Sequence, residues 1–369
     1  MFRTMRSRYY MHEDVIFMIL SWLPAKSLLR FMAVCKLWHS IILNPYFINT
    51  HLTNSQKKQA LVAILSEEVD PDCIYTLEES IRLKLPPQCT GMTHSTGSCN
   101  GLVCLTNAYG VDIYLWNPFT KRLKKLPTPN KIQYPKRIKF SNIGLGFDSI
   151  SNDYKILRMV EFSFGPLDRL GNRILEVEVY SSNADSWKEI PLPETVRSIM
   201  LHKLSKCIQA KNGVLYIEGI REILSFDLHN EVFGVYPFPN SIKKSHVLNF
   251  EDSVAMICKS FGDVSRLSLW TLDDNCGCKA SWNKKFDIEN NWHVDYVCLM
   301  LGVGQFVGNI VTAGGYFLYD YKKKDIKRLC DYKKKNIRLV SKYLAIIMVK
   351  YVESLVSLKG FEKEELSGK

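Results

Sequence analysis

The chain has 369 residues, is 46% hydrophobic and 23% charged, and carries a formal charge of +12. These are the proportions of ordinary globular domains, which excludes disorder on a large scale, and the length allows two or three domains of roughly 100–200 residues each. No run of about 18 uncharged apolar residues is present, so no membrane span is expected.

Eleven cysteines, an odd number, are scattered along the chain. That fits reduced thiols better than a disulfide framework and points to the cytoplasm or nucleus. The absence of an Asn-x-Ser/Thr sequon agrees with an intracellular address. Met1–Arg8 is basic but has no apolar segment behind it, so a secretory signal is not supported. The charge is local: Arg3, Arg6 and Arg8 at the front and the Lys/Arg-rich stretch 320–343 hold +10 of the +12.

Residues 13–23 place Val15, Ile16, Ile19, Leu20 and Leu23 on one helical face and Met18 and Trp22 on another. A helix apolar nearly all round is buried on both sides. Glu13 and Asp14 suit its N-terminus, and Pro24 stops it. A second short helix is expected near Lys26–Phe31 and a third over Val34–Leu43, closed by Asn44-Pro45. Three such pieces are too few to bury both faces among themselves. Each large apolar side chain left in water forgoes roughly 1.5–3 kcal/mol, so a partner is implied.

Further on, the chain repeats. Trp116 leads to Leu123, Tyr180 to Trp187, Phe226 to Phe233 and Tyr319 to Ile326, each across a polar turn of the same length. Trp270 joins the series with Trp282 as its more distant partner. The anchors Trp116, Tyr180, Phe226, Trp270 and Tyr319 lie 64, 46, 44 and 49 residues apart. Short strands at such a period predict propeller blades, about six or seven of them. Ala60–Leu65, Gly213–Glu218, Val254–Lys259 and Val307–Thr312 read as strands in the intervals.

With these residues in view, Met11–Phe47, "MHEDVIFMILSWLPAKSLLRFMAVCKLWHSIILNPYF", resembles an F-box, the helical module that docks on the Skp-type adaptor of cullin–RING ubiquitin ligases. Leu23-Pro24, Lys26-Ser27-Leu28, Arg30-Phe31, Val34-Cys35-Lys36 and Trp38 carry the resemblance. Met11-His12 stands where the family opens with Leu-Pro, a departure that implies weaker docking, although Met fills an apolar pocket well. The adaptor contacts the resemblance implies are Met11, His12, Ile16, Ile19, Leu20, Leu23, Pro24, Leu28, Leu29, Val34, Cys35 and Trp38. Some of these must hold the module together instead.

The segments "SCNGLVCL", "LWNPFTKRLKKLP", "GFDSISNDYKILRMV", "VYSSNADSWKEI", "ILSFDLHNEVF" and "SLWTLDD" resemble the F-box-associated, kelch-like domain of plant F-box proteins. The layout and the ending "YVESLVSLKG" also resemble pollen S-locus F-box proteins, whose targets are pistil ribonucleases. Together these imply a small three-helix F-box followed by an all-β, propeller-like domain. The implied boundaries are a basic tail at 1–9, the F-box at 10–50, a connecting segment with the first strands at 51–95, the propeller-like domain at 96–360 and a tail at 361–369. The implied function is a non-catalytic receptor of a Skp–cullin–F-box ligase that brings an unidentified target protein to ubiquitin transfer. An adaptor-independent propeller binding protein is the alternative.

Other patterns give weaker expectations. Gly97-Ser98-Cys99-Asn100-Gly101 fits a nucleophile elbow, but Asn100-Gly101 is a hairpin turn and the next segment is β-like. Cys276-Gly277-Cys278 has no second ligand pair at zinc spacing. Gly302-Val303-Gly304 lacks the third glycine of a dinucleotide fingerprint. His94, His202, His229, His246 and His293 show no ligand spacing. In the tandem Asp320–Cys330 and Asp331–Ser341, Lys322-Lys323-Lys324 read as a solvated hairpin turn, with a basic rim that attracts an acidic partner as the next reading, and no aromatic stacking motif of nucleic-acid binders accompanies the lysines. No cofactor, metal, specific nucleic acid or membrane partner is expected.

Overall fold

The computed structural model describes residues 11–56, 60–64, 73–76, 82–89, 94–107, 109–130, 137–163, 173–200, 207–209, 212–239, 245–251, 253–260, 266–273, 281–289, 296–300, 304–310, 315–320, 322–331 and 347–363. An N-terminal helical unit precedes a β-body interrupted by the short helix Glu194–Met200, and the described strands form six antiparallel sheets.

Five of the sheets are built from strands consecutive in sequence, the first of these with one added C-terminal strand. The sixth joins the two ends of the β-body: Ile347–Tyr351 pairs with Ala60–Ile64, which pairs with Cys73–Thr76, which pairs with Arg82–Lys84. One edge strand of each sheet packs beside those of its neighbours, in the order His94–Cys99, Arg137–Asp148, Cys207–Gln209, Ser245–Phe250, Tyr296–Met300 and Ile347–Tyr351. The last lies next to the first, so the ring is closed. Closure spares the innermost strands an exposed edge.

The repeated spacing has a direct structural meaning. Trp116 and Leu123, Tyr180 and Trp187, Phe226 and Phe233, and Tyr319 and Ile326 are cross-strand partners. Trp116, Tyr180, Phe226 and Tyr319 are buried, so each anchors its blade core. The turn between partners is made the same way each time. The residue after the anchor (Asn117, Ser181, Asp227 or Asp320) accepts a backbone N–H within the turn through its side chain. Four positions later the backbone is left-handed, at Lys121, Asp185, Glu231 and Lys324. Trp270 departs from this pattern. A bulge at Leu269/Trp270 sets Lys284 opposite it, and Trp282 pairs with Leu272 instead. The Trp282 indole N–H donates to the Pro237 carbonyl at 2.9 Å, as Trp187 does to Pro127 at 2.7 Å, so each pins its blade to the preceding one.

Between the blade of Ile113–Asn117 and the blade of Asp153–Ser163, Leu115, Ile156 and Tyr180 share an apolar cluster. An ion pair is buried there too. Arg158 bonds Glu178 across the strand pair at 2.7 Å and donates to the Gly110 carbonyl of the neighbouring blade, also at 2.7 Å.

Candidate functional site

Four helices form the N-terminal unit. α1 (Glu13–Ser21) is capped by His12, whose Nδ1 accepts from the Asp14 N–H at 3.4 Å. The imidazole therefore performs an N-cap role in the place where the family carries a proline ring. Glu13 and Asp14 sit at the positive end of the helix dipole. α2 (Ala25–Phe31) starts immediately after Pro24, and α3 (Lys36–Leu43) is capped by the Cys35 Sγ, which accepts from Trp38 N–H.

Asn44-Pro45 ends the third helix as expected, but the expectation of three helices is corrected to four. Asn44 caps a fourth helix, α4 (Pro45–Gln56), by accepting from Tyr46 N–H at 2.8 Å. Pro45 takes its first position, where a missing N–H costs nothing. α4 buries Phe47, His51 and Leu52. His51 Nε2 bonds the Leu23 carbonyl at 2.9 Å, and Asn54 donates to the Ser21 carbonyl at 3.2 Å, so α4 clips the end of α1. His51 Nδ1 is buried with no hydrogen-bond partner, and burial pushes the imidazole pKa below its ordinary 6.5 despite the opposing Leu23 bond.

The core of the unit is Leu20, Ala25, Leu28, Ile42 and Phe47, with Ile16, Phe17, Leu23, Phe31 and Trp38 packed against it. Leu20 and Leu28, expected among the adaptor contacts, are 1% and 0% exposed and so are corrected to core residues. Helical periodicity puts them on the inner stripe, where they cannot reach a docked partner. Ile16, Leu23 and Trp38 are half-buried. Met11, His12, Ile19, Pro24, Leu29, Val34 and Cys35 are exposed.

The exposed apolar surface extends beyond the expected contacts. Val15, Met18, Trp22, Leu43 and Tyr46 are exposed as well, Trp22 at 52% and Met18 at 57%. The signal was the all-round apolar character of α1, which leaves a second face wherever the first is used for the core. Nine of the fourteen large hydrophobic side chains exposed among the described residues lie between Met11 and Tyr46. That concentration marks an interaction surface rather than the scattered apolar residues of any protein face.

The other singled-out patterns are placed as follows. Cys99 is buried at the end of a strand that turns directly into Leu102–Thr106, so the strand–turn–helix of a nucleophile elbow is not formed. Asn100 and Gly101 both have positive φ, as a tight hairpin requires. Lys322, Lys323 and Lys324 are exposed in the turn capped by Asp320. Residues 1–10, 276–278, 301–303 and 332–343, with His202 and His293, lie outside the described residues. Among the described residues, no helix is long and apolar enough to cross a membrane, and Cys35 and Cys258 are free thiols.

The helical unit sits on the β-body through α4 and the C-terminal segment. Leu52 shares an apolar cluster with Cys99, Leu102, Val352 and Val356. Leu355 lies in the core of the helical unit, and Phe119 packs against it.

The family models agree with this architecture. Residues 11–50 match the family model of the F-box domain, and residues 49–343 match that of the F-box associated beta propeller domain. The chain is similar to F-box protein CPR1 of Arabidopsis thaliana, 29% identical over 75% of this chain and 72% of that protein. It is also similar to F-box protein At3g07870 of the same plant, 25% identical over 75% and 72%. Among solved structures, a nidogen/laminin complex overlays with a TM-score of 0.43 at 9% identity, covering 80% of this chain and 99% of that one. The chain belongs to the plant-type F-box proteins that carry an F-box-associated β-propeller domain.

Proposed function

We propose that the protein is the substrate-recognition subunit of a Skp–cullin–F-box ubiquitin ligase. The carrying observation is the apolar surface of the F-box, where nine large hydrophobic side chains stand in solvent on a unit whose core is already filled. Burying several of them, at roughly 1.5–3 kcal/mol each, is enough for a firm adaptor interface. The contribution to chemistry is positional. A target held by the propeller is brought near a charged conjugating enzyme, which raises its effective concentration. No residue of this chain reacts in that scheme, and the protein works in the cytoplasm, the nucleus or both.

The narrower reading, a pollen receptor for pistil ribonucleases, leans on the ending "YVESLVSLKG". Val352, Ser354, Leu355 and Val356 of that ending are buried inside the molecule. The shared ending therefore supports a shared architecture and nominates no target.

The test is capture of a purified Skp-type adaptor by the full chain, beside an Ile19→Asp/Trp22→Asp variant. Capture by the parent alone supports the receptor. Failure of the parent to capture leaves a propeller binding protein that works without the ligase.

A further inference from the structure

We propose that residues 352–358 are a strap that positions the F-box on the propeller and makes its docking-competent fold conditional on a completed ring. The adaptor-binding part of this rests on the receptor function proposed above.

Three observations converge on the segment. First, it supplies part of the F-box itself: Leu355 is 7% exposed in the core cluster of Leu20, Leu28, Ile42 and Phe47. A helical module at the front of the chain is thus finished by a residue near its end. Second, the segment is tied to the blade beneath. Ser354 Oγ donates to the Asn100 carbonyl at 2.7 Å, and the Asn117 amide donates to the Ser354 and Val356 carbonyls at 3.1 and 2.9 Å. Gly101 lies so close that a Cβ there would fall on Ser354 Oγ and within 2.6 Å of the Val352 carbonyl. Third, the tie continues outward. Lys124 Nζ donates to the Lys359 carbonyl at 2.9 Å, and Glu362–Lys363 adds a fifth strand to the blade edge at Arg122–Leu123.

The strap follows directly on Ile347–Tyr351, the strand that closes the ring. That strand is placed by Ala60–Ile64 and lies between Tyr296–Met300 and His94–Cys99. Leu355 is therefore delivered to the F-box only when the first and last blades have come together. A chain that is truncated, or whose ring stays open, presents F-box helices with a hole in their core. Such a chain is a poor adaptor ligand, which keeps receptors without a finished target-binding domain out of the ligase.

The test uses the full chain and hydrogen exchange, with Leu355→Ala beside Leu355→Met. In Leu355→Ala the amides of α1–α4 should exchange at least about tenfold faster, while Val214–Glu218 in a distant blade keeps its protection. Adaptor affinity should fall by about the same factor, and Leu355→Met should restore both. Unchanged protection of α1–α4 in Leu355→Ala overturns the strap. So does loss of protection with adaptor affinity equal to the parent's. Loss of protection in a protein whose parent binds no adaptor leaves the strap standing and removes the receptor function instead.

Discussion

The Asn117 side-chain amide and the Val356 carbonyl, 239 residues apart in the chain, are joined by a buried 2.9 Å hydrogen bond. The same amide reaches the Ser354 carbonyl, while the Asn117 Oδ1 accepts the N–H groups of Phe119 and Thr120. One side chain thus shapes a blade turn and holds the C-terminal segment under the F-box. Asn117→Ala removes both functions and leaves buried carbonyls without their donor. The expected loss is roughly 1–3 kcal/mol, read as a lower midpoint in thermal or denaturant unfolding. An unchanged midpoint would mean that water replaces the amide at no cost.

Gly101 and Gly360 give a matched pair. Both have left-handed backbone, with φ of 82° and 81°. A Cβ at Gly360 would make only ordinary contact with the Lys124 side chain at 3.5 Å, whereas one at Gly101 would meet the strap's backbone. Gly360→Ala should cost about 1–2 kcal/mol from the backbone alone. Gly101→Ala should cost at least about 1 kcal/mol more, because the strap must shift. Equal losses in urea unfolding would show that the close approach to the strap is unimportant.

The buried Arg158–Glu178 pair predicts an asymmetry. Burial drives the Arg158 pKa down, and Glu178 opposes that. Glu178→Gln leaves a guanidinium that is 0% exposed without its counter-charge and should cost about 3–5 kcal/mol. The double variant Arg158→Met/Glu178→Leu should lose distinctly less than Glu178→Gln alone, since neither position then carries a charge. Unfolding midpoints of the two variants decide the matter.

Acid should act on the two parts of the molecule in sequence. The folded-state pKa of His51 is lowered, so below its ordinary 6.5 the unfolded chain binds a proton that the folded F-box refuses. Stability is therefore complete above that value and declines as pH falls toward the folded pKa. At Asp148, burial opposes the charge, but hydrogen bonds from Ser151, His229 and Ile150 outweigh it and hold the carboxyl well below its usual range. Its contribution is present above the unfolded carboxylate pKa of about 4 and is lost only as pH falls further. Hydrogen exchange at about pH 5 should show loosened F-box helices over an intact propeller, and His51→Gln should flatten that response. A propeller that loosens first would contradict this order.

Local chemistry made much of this architecture legible. The spacing from Trp116 to Leu123 survives in the fold because both ends of one hairpin turn are written in adjacent residues. The same holds for Asn100-Gly101. Trp270 misled because a bulge, invisible in the pattern, moved its partner from Trp282 to Lys284. The fourth helix was hidden by reading Asn44-Pro45 only as a stop, when the same two residues also begin a helix. Leu20 and Leu28 could not be separated from Ile19 and Leu29 by hydrophobicity, since all four are apolar and differ only in which neighbour covers them. Leu355 in the F-box core was the least legible feature, because a contact made across most of the chain leaves no local periodicity.

The central claim is most directly tested by measuring the affinity of the full chain for a purified Skp-type adaptor, with and without Ile19→Asp/Trp22→Asp. Both side chains are exposed, so the variant should keep the parent's unfolding midpoint. Removing two large apolar contacts should weaken binding at least about a hundredfold. A parent that does not bind, or a variant that binds as well as the parent, would contradict the account.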